Sequence, residues 1–243
     1  MLSLPMSTPI PPEGRFTGEL EMLPEDLPDN PFPIFEGWFD QAVANKVQPN
    51  PNAMYVSTVD ADGTPSSRTV LCKLIHPDPG AIVFFSNYES RKGRAISATG
   101  LVSVLFHWDT MNKQVRIEGP AVRSPEAESD AYYASRRWES RVGAWASDQS
   151  QPIESHDALM LKVFETVEKL GLDAAKLVKD GPDARVEIPR PPFWGGYRVY
   201  PRAMELWCAS ETRLHDRARW TRELSPNGEG FDCGPWSATR LQP

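Results

Sequence analysis

The chain has 243 residues, of which 40% are hydrophobic and 24% are charged, a composition typical of a soluble globular protein. Its formal net charge is −7, so we expect no general attraction to nucleic acid. No apolar run approaches the roughly 20 residues that a membrane-spanning helix needs, and the N-terminus lacks the pattern of a secretory signal. The three cysteines form no Cys-x-x-Cys pair, so we expect a cytoplasmic protein without a disulfide framework or a metal site.

The N-terminal half predicts an arm, one helix and a series of strands. Residues 1–30 are rich in proline and acidic residues and predict a flexible arm, whereas residues 31–243 are expected to form one domain. Apolar residues at helical spacing after Asn30-Pro31 predict a first helix, and a short second helix is expected over residues 91–98. The predicted strands span residues 53–59, 66–75, 81–86, 101–108 and 113–122, with a hairpin turn at residues 60–63.

The C-terminal half predicts two longer helices and further strands. Ser124-Pro125-Glu126 is typical of a helix start, and that helix is expected to end near Arg136. A helix is also expected over residues 156–170, whereas residues 169–187 look like an extended loop. Strands are expected over residues 196–207, 213–223 and 236–241, with a turn at residues 226–228. Together these elements predict a mostly β, α+β fold with peripheral helices, built on a closed antiparallel barrel.

Basic residues gather in a few short segments despite the acidic total, namely Arg68 and Lys73, Arg91-Lys92, Arg136-Arg137 with Arg141, and Arg213 with His215 and Arg217. Ser90-Arg91-Lys92 lies where a loop enters a short helix, and helix N-termini attract phosphate. In a strand, Arg213, His215 and Arg217 would share one face. Such groups are candidate contacts for an anionic ligand, because guanidinium and ammonium groups both bind phosphate oxygens. The alternatives are solvated surface charge or, for residues 213–217, an edge strand protected by its charges.

Other chemistries lack their motifs. The four histidines show no metal-ligand spacing, and the sequence contains no Gly-x-Ser-x-Gly elbow, P-loop or Gly-x-Gly-x-x-Gly segment. Trp207, beside the predicted basic strand, could stack on a planar ligand. The residues by themselves therefore predict a protein that binds a phosphorylated ligand.

Eight short blocks, taken in chain order, resemble the pyridoxine/pyridoxamine 5′-phosphate oxidase family. The likeness runs from about Pro31 to Pro243, and it implies an FMN-binding split β-barrel that forms a homodimer with each flavin at the subunit interface. Residues 193–243 would form the dimerisation and substrate region. The blocks are Ser67-Arg68-Thr69-Val70-Leu71-Cys72-Lys73, Phe85-Ser86-Asn87, Ser90-Arg91-Lys92, Gln114-Val115-Arg116, Val142-Gly143-Ala144-Trp145-Ala146-Ser147, Phe193-Trp194-Gly195-Gly196, Arg213-Leu214-His215-Asp216-Arg217 and Arg240-Leu241-Gln242-Pro243.

The resemblance also implies the site residues. Arg213 and His215 would be catalytic, lying over the pyridine ring of the substrate. The implied FMN contacts are Arg68, Thr69, Val70, Leu71, Cys72, Lys73, Phe85, Ser86, Arg91, Lys92, Gln114, Gln149, Ser150, Trp207 and Arg217. The implied substrate contacts are Lys73, Tyr132, Arg136, Ser140, Arg213, Leu214 and His215.

The implied reaction is the oxidation of pyridoxamine or pyridoxine 5′-phosphate to pyridoxal 5′-phosphate. The substrate would pass a hydride to the flavin, and O₂ would reoxidise the flavin and yield hydrogen peroxide. Lys73 and Arg136 favour a phosphorylated substrate. Three segments depart from the family pattern, namely residues 14–20 in the arm, the extended loop expected at residues 169–187, and Trp207-Cys208-Ala209-Ser210 near the expected flavin. The alternatives are oxidation of a different aromatic substrate, as in the branch that oxidises phenazine precursors, and a non-catalytic flavin-binding or haem-binding split barrel.

Overall fold

The computed structural model describes residues 20–182, 184–211 and 214–243. None of the helices in these ranges is long and apolar enough to cross a membrane. The helices are α1 (Phe32–Ala44), α2 (Arg91–Thr99), α3 (Glu126–Ser135), α4 (Trp138–Ala146), α5 (His156–Lys169) and α6 (Ala174–Asp180), with a 3₁₀ turn at Asp109–Met111. The strands are β1 (Ala53–Val59), β2 (Pro65–Leu71), β3 (Leu74–His76), β4 (Ala81–Asn87), β5 (Leu101–Trp108), β6 (Lys113–Arg123), β7 (Trp194–Val199), β8 (Ala203–Cys208), β9 (Asp216–Thr221), β10 (Leu224–Pro226), β11 (Phe231–Cys233) and β12 (Ser237–Leu241).

Ten strands form one curled antiparallel sheet. Seven follow the order β12-β9-β8-β6-β5-β1-β2, and the remaining three continue from β6 through β7 and β4 to β3. Strand β6 therefore belongs to both parts, because its first residues pair with β8 and its last residues pair with β7. Strands β2 and β4 approach each other, but the ladders recorded for the described residues do not join them. The sheet is thus a curled antiparallel half-barrel, which confirms the predicted split barrel, and no ladder among the described residues closes it between β2 and β4.

The main core fills the inside of this sheet. Burial alternates along β1: Met54 and Val56 are fully buried, whereas Tyr55 between them is exposed. Helix α1 packs Phe35 against Phe106 of β5, with ring centroids 5.3 Å apart. The Asn30 side chain starts this helix by accepting a hydrogen bond from the Phe32 amide at 3.0 Å. Helix α1 is thereby part of the main core.

A second, smaller cluster joins the helices to β7. It contains Tyr133 of α3, Val142 of α4, Val167 of α5 and Trp194 of β7. The Tyr133 hydroxyl donates to the Arg141 carbonyl at 2.8 Å, which links α3 to α4. This cluster holds α3 and α4 beside β4 and β7, where the candidate site lies.

The structure corrects several of the predicted elements. The predicted strand 66–75 is divided into β2 and β3, because the Cys72 and Lys73 amides donate to the Asn52 and Val83 carbonyls respectively. The predicted strand 196–207 is interrupted before β8 at Pro201, which has no amide hydrogen for a ladder. The predicted loop 169–187 was wrong, because it contains α6, which Asp173 caps at the Lys176 amide.

Two further corrections concern the C-terminal region. Strand β9 begins only at Asp216, so His215 does not share a strand face with Arg217 as predicted, and Arg213 lies outside the described residues. The predicted turn at 226–228 connects β10 and β11, a small hairpin that the prediction lacked. Residues 14–20 of the arm lie outside the described range except for Leu20. Farther along the arm, the Leu23 amide donates to Asp216 at 2.8 Å.

Candidate active site

A basic pocket of about 510 Å³ opens between β2, β4, α3 and the start of α4. Most of the residues that the sequence assigned to FMN or substrate line this one cavity. Arg137, predicted as a phosphate contact only through its basic segment, lines it too, and so does Trp194, to which the sequence assigned no role. The lining residues are Arg68, Thr69, Val70, Leu71, Lys73, Phe85, Ser86, Lys92, Tyr132, Arg136, Arg137, Ser140, Gln149 and Trp194.

The charge of this basic pocket opposes that of the whole chain. Its lining includes three arginines and two lysines but no aspartate or glutamate. The protein as a whole carries a net charge of −7. Grouped cations repel one another, so such a lining is favourable when an anion with several oxygens binds between them.

Lys92 is the most enclosed of these cations, with only 8% of the residue exposed. It lies in the first turn of α2, and its ammonium group donates to Ser86 Oγ at 2.9 Å and to Gln149 Oε1 at 2.6 Å. Burial, and then the positive charge of Arg68, lower the pKa of Lys92 from 10.5 to about 8. An anion beside Lys92 would favour its charged form and so oppose this lowering of the pKa.

Arg68 is held in place from β2. Its Nη1 donates to the Val56 carbonyl at 3.0 Å and to Thr58 Oγ1 at 2.9 Å. Burial lowers the pKa of this guanidinium, and the charge of Arg91 lowers it further. A guanidinium anchored in this way presents its charge to the pocket at little further cost in side-chain entropy.

Aromatic rings form the opposite part of the basic pocket. Phe85 stacks on Tyr132 with centroids 3.9 Å apart and lies 5.7 Å from the ring of Trp194. The Arg136 guanidinium lies 4.7 Å from the Trp194 centroid, and Lys73 Nζ lies 5.8 Å from that of Tyr132. Nη1 of Arg136 is buried and has no hydrogen-bond partner in the described part of the chain. This donor is therefore unsatisfied among the described residues.

Six of the predicted FMN contacts do not line the basic pocket, and three of these are Arg91, Cys72 and Ser150. Arg91 points to Asp60, with which it forms an ion pair of 2.8 Å. Cys72 is buried, and burial raises the pKa of its thiol to about 12. Ser150 follows Gln149 with a positive φ of 74°, and its side chain is not part of the lining.

The remaining predicted residues form a separate C-terminal cluster, which we define as Gln114, Trp207, His215 and Arg217. Neighbouring strands place Gln114 opposite Trp207 and Trp207 opposite Arg217. The His215 ring lies 4.6 Å from that of Trp207, and its Nδ1 accepts from the Ser210 amide at 3.1 Å. Leu214, also predicted at the substrate, is 70% exposed. No member of the C-terminal cluster lines the basic pocket.

Two family models match the chain. The model described as pyridoxamine 5′-phosphate oxidase matches residues 39–169, and the model described as the pyridoxine 5′-phosphate oxidase C-terminal dimerisation region matches residues 194–243. The first match contains all of the basic pocket except Trp194. The second contains β7 to β12 and the C-terminal cluster except Gln114.

Curated relatives are similar over nearly the whole chain. A pyridoxine/pyridoxamine 5′-phosphate oxidase of Paraburkholderia phytofirmans is 46% identical over 90% of this chain and 91% of its own length. A pyridoxine/pyridoxamine 5′-phosphate oxidase of Roseobacter denitrificans is 42% identical over 95% of this chain and 98% of its own length.

Solved structures share the fold. PhzG of Burkholderia lata, in complex with tetrahydrophenazine-1-carboxylic acid, superposes with a TM-score of 0.74 at 31% identity and covers 93% of this chain and 100% of its own. An FMN-binding protein of Nostoc punctiforme, related to pyridoxamine 5′-phosphate oxidase, gives a TM-score of 0.60 at 14% identity, over 86% and 97% of the two chains. The chain therefore belongs to the pyridoxine/pyridoxamine 5′-phosphate oxidase family of flavin-dependent oxidoreductases.

Proposed function

We propose that this protein oxidises pyridoxamine 5′-phosphate and pyridoxine 5′-phosphate to pyridoxal 5′-phosphate, with FMN as cofactor and O₂ as electron acceptor, releasing hydrogen peroxide. The observation that carries the proposal is the lining of the basic pocket, where five cations without a carboxylate adjoin a stack of aromatic rings. This combination suits two planar ligands that each carry a phosphate.

The Lys92 end of the basic pocket fits the FMN phosphate. Lys92, Arg68 and the Ser86 hydroxyl converge there at the N-terminus of α2, where the helix dipole favours negative charge. When bound, FMN supplies the two-electron acceptor of the reaction and then reacts with O₂. The chain's own task at this end is to neutralise the phosphate and hold the cofactor in one orientation.

The Arg136 end fits the substrate phosphate. Arg136, Lys73, Tyr132 and Ser140 line this side, and the unpartnered Nη1 of Arg136 offers a donor to a phosphate oxygen. These residues would fix the substrate so that its reacting carbon faces the flavin. They supply binding and orientation, and no covalent intermediate with the protein is required.

We further propose that the active site is completed across a homodimer. The C-terminal cluster does not line the basic pocket of its own chain, and most of it lies in the part matched by the family's dimerisation region. The partner subunit's Trp207 and Arg217 would therefore contact the flavin held by this chain. Arg213 and His215 would position the pyridine ring and assist electrostatically, a role that rests on the family resemblance.

A second candidate function is oxidation of a different aromatic substrate, which the likeness to PhzG of Burkholderia lata favours. A substrate without phosphate would leave Lys73 and Arg136 without an anionic partner. A flavin carrier without catalysis would have no use for these two residues either. The three free cysteines accord with a cytoplasmic address, which is part of the proposal.

The test is to purify the protein, record its visible spectrum and add pyridoxamine 5′-phosphate under air while following peroxide and aldehyde. A flavin spectrum with turnover supports the proposal. A flavin spectrum without turnover on either phosphorylated vitamer would transfer the assignment to another aromatic substrate. Failure to bind added FMN would refute the cofactor assignment.

A further inference from the structure

Asp216 is a buried carboxylate inside the segment that the proposed function assigns to the substrate. It lies between His215 and Arg217, and it is the first residue of β9. Burial alternates along this strand, so that Asp216 shares the buried face with Ala218 and Trp220. A charged group on such a face is costly unless it is paired, so its partners show what holds it there. The oxidation as proposed above gives Asp216 no role.

The partners of Asp216 come from distant parts of the chain. One carboxylate oxygen, Oδ2, accepts a hydrogen bond from the Leu23 amide at 2.8 Å. The other, Oδ1, accepts from Nη1 of Arg240 in β12 and forms an ion pair with it. Both oxygens therefore have a donor, and 8% of the Asp216 side chain is exposed. A carboxylate bound on both sides in this way holds the backbone at the start of β9, directly beside His215.

Arg240 extends this contact to the arm. Its Nη2 donates to the Pro24 carbonyl at 2.7 Å, so one guanidinium binds both Asp216 and the arm backbone. The arm is also held farther along, because the Pro28 carbonyl accepts from Nε1 of Trp220 at 2.8 Å. The arm therefore contacts both the start and the later part of β9, and the first of these contacts adjoins the C-terminal cluster.

The residues just before β9 depend on this anchor. The ladder between β8 and β9 begins with Cys208 opposite Asp216, so His215 lies just outside it. The His215 ring is attached through Nδ1, which accepts from the Ser210 amide at 3.1 Å. Leu214, on the other side of His215, is 70% exposed. Regular structure thus begins at Asp216, and a displacement of Asp216 would move the His215 ring with it.

We propose that Asp216 and Arg240 are positioning residues for the oxidation, an inference that rests on the proposed function. Their ion pair, held against the arm backbone, fixes the start of β9 so that His215 presents its ring to the substrate in one orientation. Neither residue lines the basic pocket, so the pair acts through His215. A misplacement of about 1 Å in an orienting group can cost roughly a hundredfold in rate, which makes a buried anchor beside that group effective.

The first measurement is stopped-flow reduction of the bound flavin by pyridoxamine 5′-phosphate in FMN-saturated protein. Asp216→Asn removes the charge at nearly constant side-chain volume, and Arg240→Gln removes the other partner. Each should lower the limiting reduction rate on the order of tenfold. FMN affinity should stay unchanged, because the FMN phosphate is assigned to the Lys92 end of the basic pocket. The double variant should be no slower than the slower single variant, since both changes break the same pair.

Trp220→Phe is the matched control. It removes the hydrogen bond to the Pro28 carbonyl, which also joins the arm to β9, and leaves the pair of Asp216 and Arg240 in place. We expect a lower Tm with the reduction rate of the wild type. Equal slowing in Trp220→Phe and Asp216→Asn would indicate a general effect of stability and overturn the proposal. Wild-type reduction in both Asp216→Asn and Arg240→Gln would overturn it as well. The Arg240 side chain is 38% exposed, so its variant keeps the comparison valid if Asp216→Asn fails to fold.

A second measurement needs no turnover. The chain has four histidines, and NMR of isotope-labelled histidine identifies the His215 signal by its loss in His215→Gln. Asp216 is next to His215 in sequence, so the test uses Arg240→Gln, which should broaden or split this signal. Trp220→Phe should leave the signal unchanged. An unaltered signal in Arg240→Gln would overturn the proposal. The expected change, together with a wild-type flavin that pyridoxamine 5′-phosphate does not reduce, would support the positioning of His215 and refute the proposed oxidation.

Discussion

Lys92 Nζ lies 2.6 Å from Gln149 Oε1, which joins the first turn of α2 to the segment that follows α4. Two parts of the chain that are 57 residues apart thus meet at one cation. Because the same ammonium group also donates to Ser86 of β4, it links three elements around the proposed FMN phosphate site. Its protonation state should therefore control how the basic pocket binds an anion.

FMN affinity should fall as the pH rises above about 8. The pKa of Lys92 without ligand is about 8, so the side chain is charged below that pH and becomes neutral above it. The FMN phosphate is a dianion above its second pKa of about 6, so binding should be tightest between these two values. Fluorescence titrations with FMN at pH 7 and pH 9 measure the change. Lys92→Arg stays charged and should remove the decrease; an unchanged decrease in that variant would contradict the assignment to Lys92.

Arg136→Gln should raise the KM for pyridoxamine 5′-phosphate on the order of tenfold or more, because a charged donor to the substrate phosphate is lost. FMN content should remain close to that of the wild type, because the FMN phosphate is assigned to the other end of the pocket. Steady-state kinetics with a flavin absorbance control check both statements. Arg202→Gln, which removes an exposed arginine outside the lining, should change neither.

Two inactive variants should complement each other if the site is shared between subunits. Lys92→Gln damages the basic pocket and Arg217→Gln damages the C-terminal cluster. In a mixed dimer one site carries both changes and the other carries neither, so random mixing should restore about one quarter of wild-type activity. The measurement is activity after co-expression of differently tagged chains. Absence of any recovery in isolated mixed dimers would show that each chain builds its site alone.

Arg213→Ala should slow turnover strongly while FMN stays bound. The family resemblance places this arginine over the substrate ring, and loss of an orienting group costs on the order of a hundredfold when the reacting atoms move out of line. Stopped-flow reduction of the bound flavin measures the step directly. Wild-type reduction rates in this variant would refute the assignment of the substrate face.

Gly93→Ala should destabilise the protein, because a Cβ at this position would overlap the Tyr88 carbonyl. That backbone contact sets the position of the α2 N-terminus and hence of Lys92. Gly143→Ala is the matched control, since a Cβ there meets nothing within 4 Å and alanine is favoured over glycine in a helix by roughly 0.5–1 kcal/mol. Thermal unfolding should show a lower Tm for the first variant and an equal or higher Tm for the second.

The sequence predicted the regular elements well and the irregular ones poorly. Short runs of strand-forming residues predicted β1 and β5 with their observed bounds. The short helix α6 was missed because its seven residues give too few turns for a periodic pattern, and its cap at Asp173 was the available signal. His215 was placed in a strand because spacing alone does not reveal where β9 begins.

The candidate site was predictable only with the help of the family resemblance. Basic segments far apart in sequence pointed to an anion, but not to their meeting in one pocket. Trp194 was in a matching block and received no role, although its ring contacts Arg136. Arg141 belonged to a basic segment predicted to contact phosphate, but its buried and unpaired Nε is a property of packing that the sequence pattern does not reveal.

Strand β6 pairs with β8 at its start and with β7 at its end, so a change in its length would affect both parts of the sheet. Gln114 near its start belongs to the C-terminal cluster, whereas Ala121 to Arg123 at its end pair with β7, which carries Trp194 of the basic pocket. Because strand residues alternate between faces, a single-residue insertion in the middle of β6 would rotate one end relative to the other by half a turn. Such a change would disturb the basic pocket and the C-terminal cluster at the same time, and hence, if the site is shared as proposed, both subunits' contributions to it.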